Sequence, residues 1–128
     1  MKNNPVVWFE IYVNNLPRAQ AFYEAVLALE LAPLPAPPGA AASQQMLAFP
    51  MEMASGGAGG MLVKMEGVSP GGGGTLVYFG CDDCAVEQGR VEKAGGQVHR
   101  PKFSIGEYGH CALIVDTEGN MVGLHSMK

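Results

Sequence analysis

The sequence predicts an α+β fold in which one unit, a strand followed by a capped helix and several short strands, occurs twice. Three observations carry this. Apolar, β-branched and aromatic runs of strand length alternate with one segment of helical period in each half. Asn or Asp stands before each helical segment, where a side-chain oxygen can cap free backbone N–H groups. The halves also superpose at an offset of 68, which sets Val13-Asn14-Asn15-Leu16 on Cys81-Asp82-Asp83-Cys84, Ile11 on Phe79 and Phe9 on Val77.

The first strand is Val6 to Val13 (VVWFEIYV). Asn14 or Asn15 caps the helix that follows, and Pro17 suits its first turn. From Arg18 to Leu29 the apolar residues Ala19, Phe22, Tyr23, Val26 and Leu27 recur at helical intervals. Pro33 to Ser43 is too rich in proline for a helix or a central strand. Short strands are expected at Gln45–Pro50 and Met61–Met65, with Ser55–Gly60 as a turn between them. Gly-rich 69–74 reads as a linker. It has no Lys-Ser/Thr pair, so it is no phosphate loop. The second half runs as a strand at Thr75–Cys81, a helix from Cys84 to Ala94 stopped by Gly95-Gly96, and strands at Val98–Arg100, His110–Asp116 and Met121–His125. Residues 117–120 form the last hairpin turn.

Composition bounds the function classes. A chain of 128 residues with 48% apolar and 16% charged residues is one domain with a real core, not a disordered segment. Net charge is −4 and no Lys or Arg neighbours another, which argues against a nucleic-acid partner. No apolar run approaches the ~20 residues of a membrane span, and the opening, which holds Glu10, does not read as a signal peptide. An odd set of thiols, Cys81, Cys84 and Cys111, fits a reduced, cytoplasmic setting. The Cys81-x-x-Cys84 spacing is a weak redox signal, and packing is the better reading. Methionines such as Met46, Met51, Met53, Met61, Met65 and Met121 fill adaptable gaps.

The segments FEIYVNNLPRAQAFYEAVL, LVYFGCDD and DTEGNMVGLHS resemble the vicinal oxygen chelate superfamily, the glyoxalase/bleomycin-resistance/dioxygenase group. The resemblance covers nearly the whole chain. It implies paired βαβββ modules that form a curled mixed sheet around a cup, with helices on the outer face. The modules would span about 5–66 and 75–127, with a Gly-rich hinge at 67–74. It also implies a small-molecule ligand and a homodimer.

Strand alternation divides the candidate residues between two faces. Phe9, Ile11 and Val13, like Val77, Phe79 and Cys81, and Val122 and Leu124, form apolar faces fit to cover the helices. Trp8, Glu10 and Tyr12, like Tyr78, and Gly123 and His125, lie on the other faces and would line the cup. A buried Glu10 requires either water or a hydrogen-bond donor.

Metal-dependent members of the superfamily draw four ligands from strands of the two modules. The matching positions here are Trp8, Leu76, Gly123 and either Leu62 or Val63. None offers the carboxylate, imidazole or thiolate that a divalent ion needs. No metal or other cofactor is therefore expected.

Glu10 is a candidate general base, its pKa raised by Trp8 and Tyr12, or a structural carboxylate bonded to a backbone or Tyr donor. His125 is a candidate proton donor or ligand anchor, or a surface histidine near the end of the chain. Trp8, Tyr12 and Tyr78 offer an aromatic platform or a plug for the cup. The loop 104–110 can present Glu107, Tyr108 or His110 to a ligand. Four readings follow. The first is a metal-free small-molecule binder of the bleomycin-resistance type. The second is a metal-free lyase or isomerase with Glu10 as base and His125 or Tyr108 as acid. The third is an interaction module with a filled cup. The fourth is a lactoylglutathione lyase-like metalloenzyme with Glu10, His110 and His125 as displaced ligands.

Overall fold

A computed structural model of the chain describes residues 4–36, 39, 44–52 and 56–128. Positions 37, 38 and 40–43 of the proline-rich stretch, Met53 and Ser55 of the expected turn lie outside them. The elements run β1 (Val6–Tyr12), α1 (Leu16–Leu27), β2 (Ala32–Pro33), β3 (Gln45–Ala48), β4 (Gly59–Lys64), β5 (Thr75–Gly80), α2 (Cys84–Gln88), β6 (Gln97–Ser104), a 3-10 turn (Gly106–Tyr108), β7 (His110–Val115) and β8 (Met121–Ser126). The fold is α+β, and the strand–helix–three-strand order occurs twice.

Two compact units divide the chain. One is Trp8–Thr75; the other joins the segment ending at Val7 to Leu76–Lys128. In the first unit the ladder order is β2-β3-β4-β1, with β1 and β4 parallel and the other pairs antiparallel. In the second it is β5-β8-β7-β6, again with one parallel pair, β5 with β8. The repeat thus holds at the level of pairing as well as order.

Helix α1 starts at Leu16, two residues before the expected Arg18, because Asn15 is the cap: its Oδ1 accepts the Arg18 N–H at 3.0 Å. Asp83, 68 residues on, caps α2 by accepting the Ala85 N–H at 3.0 Å. Helix α2 ends at Gln88, not Ala94. Gly89 follows at once, and its backbone freedom costs a helix about 1 kcal/mol; residues 89–95 continue as hydrogen-bonded turns. Strand β6 runs to Ser104, well beyond the expected Arg100. It tolerates Pro101 because it is an edge strand with register shifts on both sides of Arg100. Lys102 ties it to α2, pairing with Asp83 at 2.9 Å while its N–H donates to Gln88 Oε1.

Each helix covers one face of its own strands. In the first unit Leu16, Leu31, Leu47, Phe49 and Leu62 form a core, with Phe9, Ile11, Val13, Ala19 and Tyr23 packed on it. In the second, Cys84, Ala112 and Leu124 do so, with Phe79, Cys81 and Ile114. The apolar faces therefore meet the helices as alternation requires. Among the described residues no helix is long and apolar enough to cross a membrane.

Candidate functional site

In the first unit, the β1 face turned away from α1 carries Trp8, Glu10 and Tyr12. Their partners on β4 are Gly59, Met61 and Val63, and β3 adds Met46 and Ala48. All are buried except Trp8 and Gly59, which are half-buried. Glu10 is only 7% exposed in this apolar setting. A carboxylate there would cost several kcal/mol without a donor. Tyr12 is one such donor: its Oη donates to Glu10 Oε1 at 2.6 Å, the short distance of a charge-assisted bond. Burial, and next the Glu10 charge, hold the Tyr12 phenol well above its ordinary pKa. The Trp8 ring lies over Gly59, so close that a Cβ there would stand 3.2 Å from the indole.

In the second unit, the Tyr78 ring lies directly on Gly123, its partner across β5 and β8, and a Cβ at Gly123 would overlap the ring. His125, half-buried on the same β8 face, has Nε2 2.6 Å from the Tyr108 carbonyl oxygen. A carbonyl can only accept, so Nε2 carries the proton and donates. The expected proton-donor role of His125 through Nε2 is therefore already taken by Tyr108. The 3-10 turn that carries Tyr108 is closed by Ile105 N–H to Gly109 O at 2.8 Å. Gly109 has φ 102° and backs onto the Ser126 carbonyl, leaving no room for a Cβ.

Of the loop candidates, Glu107 and Tyr108 are exposed. His110 faces the other way. It pairs with Ser126, whose Oγ accepts the Cys84 N–H of α2, whereas His125 pairs with Cys111. Strand alternation thus puts His110 and His125 on opposite faces. That corrects the expected displaced-ligand set of Glu10, His110 and His125.

Pairing also corrects one of the four metal-matching positions. Glu10 sits opposite Met61 as Tyr78 sits opposite Gly123, so the first-module counterpart of Gly123 is Met61, not Leu62 or Val63. Leu62 belongs to the α1-facing core. Indole, thioether, isobutyl and a bare glycine do not make a divalent-metal donor set. Among the described residues no group of three or more His, Cys, Asp or Glu is placed to hold a metal ion.

The Cys-x-x-Cys spacing is not poised for thiol chemistry. Cys84 is fully buried in the α2 core. Burial first, and then the Glu87 charge, push the Cys81 thiol up to about 11. Iodoacetamide at pH 8 is expected to label Cys81 roughly ten- to a hundredfold more slowly than a free cysteine, with the rate climbing toward pH 11. Peptide mass spectrometry of labelled protein checks this. Labelling at the free-cysteine rate at pH 8 would show an unshifted thiol instead, and faster labelling an activated one.

No family model matches the sequence, and no curated protein does either. Solved structures do match. Streptomyces coelicolor methylmalonyl-CoA epimerase, in complex with 2-nitronate-propionyl-CoA, superposes with a TM-score of 0.67 at 15% identity, covering 98% of each chain. A hypothetical protein from Bacillus halodurans gives 0.72 at 15% identity, over 100% of this chain and 96% of that one. An uncharacterized protein from Methanosarcina mazei gives 0.62 at 14%, over 100% and 95%. At these identities the likeness is one of fold.

Proposed function

We propose that this chain is a metal-independent small-molecule-binding protein of the vicinal oxygen chelate group. Its ligand is held on the β1 face that carries Trp8, Glu10 and Tyr12. The observation that carries the proposal is the buried Glu10 carboxylate, held by the Tyr12 phenol among Met46, Met61 and Val63. Such a group anchors a ligand donor in apolar surroundings, and Trp8 adds an aromatic surface beside it. The CoA ester bound by the Streptomyces coelicolor epimerase supports a ligand of that general kind. The chain is further taken to be a cytoplasmic homodimer, which its free cysteines and the family resemblance support.

The test is a thermal-shift screen with coenzyme A, methylmalonyl-CoA and bleomycin. A binder at a hundred times its Kd stabilises by about 2.7 kcal/mol, and Glu10→Gln should abolish that shift. A shift that Glu10→Gln leaves intact would place the ligand elsewhere, and no shift with any compound would favour an interaction module.

One observation favours a second reading, a metal-free isomerase. The same buried carboxylate can take a proton from the carbon α to a thioester carbonyl, and return of a proton to the opposite face of that carbon completes the inversion; an epimerase of methylmalonyl-CoA shares the fold. Wild-type protein would then incorporate solvent deuterium at C2 of methylmalonyl-CoA, and Glu10→Gln would not.

A further inference from the structure

The chain has one tryptophan, Trp8, at the half-buried end of the Glu10 face. Its partner on β4 is Gly59, which has no side chain to lay over the ring. Met51, just past the end of β3, takes that space. A Cβ on Gly59 would stand 3.2 Å from Trp8 Cζ3 and 3.3 Å from Met51 Sδ. Both atoms thus close on one spot, which fits a sulfur–aromatic contact at the ring edge. Met51 is also 43% exposed, whereas Met46 and Met61 on the same face are buried. Among the described residues of this face, the thioether that solvent reaches is therefore the one beside the indole.

We propose that Met51 is an oxidation site, and that its oxidation opens the Trp8 end of the face. Hydrogen peroxide is the oxidant. Its O–O bond breaks, one oxygen bonds to Sδ, which is oxidised by two electrons, and the other leaves as water with both peroxide hydrogens. The sulfoxide is polar, and its oxygen would lose water by staying against the indole. The side chain turns outward and uncovers the ring, and a methionine sulfoxide reductase reverses the step. The effect on binding rests on the reading that this face holds a ligand; the oxidation and the uncovering do not. A flat ligand group that stacks on Trp8 must displace the thioether in the reduced protein and finds the ring free in the oxidised one. The sulfur–aromatic contact at stake corresponds to about two- to tenfold in affinity.

The experiment treats the protein with hydrogen peroxide and follows each methionine by peptide mass spectrometry, with Trp8 fluorescence read on the same samples. Met51 should oxidise roughly tenfold or more faster than Met46 and Met61, as exposure directs. Trp8 emission should move to longer wavelength, and quenching by acrylamide should rise, in step with Met51 oxidation. A sulfoxide reductase should restore both. Met51→Leu keeps the apolar cover but has no sulfur; its Trp8 signal should stay fixed while Met121 and Met127, exposed in the second unit, still oxidise. The proposal is overturned if Met51 oxidises no faster than Met46 and Met61. It is equally overturned if Met51 oxidises and the Trp8 signals stay unchanged, or if they change as much in Met51→Leu. Whichever of coenzyme A, methylmalonyl-CoA and bleomycin binds the reduced protein should bind the oxidised one about two- to tenfold more tightly, and equal affinity would refute the regulatory role. Failure of all three to bind would count against the ligand reading, while the fluorescence would still decide whether oxidation uncovers Trp8.

Discussion

A Gly123→Ala variant is expected to lose about 1–3 kcal/mol of stability, the range for overpacking a filled site. Glycine-to-alanine changes usually stabilise by about 0.4–1 kcal/mol through the unfolded chain, so the sign is diagnostic. Gly123 has no positive φ to explain a penalty; the obstacle is the Tyr78 ring, which a Cβ would overlap. Gly72 is the control, with no positive φ and nothing within 4 Å of its would-be Cβ, and Gly72→Ala should be neutral or stabilising. Tyr78→Ala alone should cost about 3–5 kcal/mol, as for other buried aromatics. In the Tyr78→Ala background the Gly123→Ala penalty should vanish, because the two changes share one space. Urea denaturation of the four variants measures the coupling. Equal stability of wild type and Gly123→Ala would mean that the ring swings aside freely. Gly123 is covered by an aromatic ring, so the site has no room for a larger side chain while Tyr78 stays in place.

The repeat was legible because both its signals are local. Asn15 and Asp83, at the 68-residue offset, each cap a helix through their own side chains. The alternation that sends Phe9 and Ile11 to one side and Glu10 to the other needs only the strand period. What was missed depended on partners. Strand β6 hides behind Pro101 and carries few apolar residues, since an edge strand need not be apolar. The counterpart of Gly123 is Met61, not Leu62 or Val63, because sequence alone cannot fix a register that cross-strand pairing decides. The bond from His125 to the Tyr108 carbonyl joins residues 17 apart, and no pattern in either segment announces it. The Tyr12 donor to Glu10 lies between these cases. Residues two apart share a strand face, so the pair was available to inspection, and only their mutual reach of 2.6 Å had to come from the structure.

That pair yields the second large expectation, a loss of stability at alkaline pH that depends on Tyr12. The phenol in an unfolded chain gives up its proton near pH 10. In the folded protein, burial and the Glu10 charge hold that proton to higher pH. Above pH 10 the unfolded chain therefore binds fewer protons than the folded one. Stability is whole below pH 10 and falls beyond it, by at most about 1.4 kcal/mol per pH unit for one group. Tyr12→Phe removes this slope. At pH 7 it also takes a donor from a buried carboxylate, at about 1–3 kcal/mol. The variant should thus be less stable than wild type at neutral pH, and the gap should close as pH rises toward 11. Cys81, whose thiol is pushed up to about 11, titrates in the same window, but it does so in both proteins and cancels in the difference. Urea denaturation at pH 7 to 11 reads the two curves, and parallel curves would refute the role given to the phenol. The same bond bears on binding. A ligand donor arriving at Glu10 must share or replace the Tyr12 hydrogen bond, so Tyr12→Phe should bind such a ligand more tightly than wild type while folding less stably.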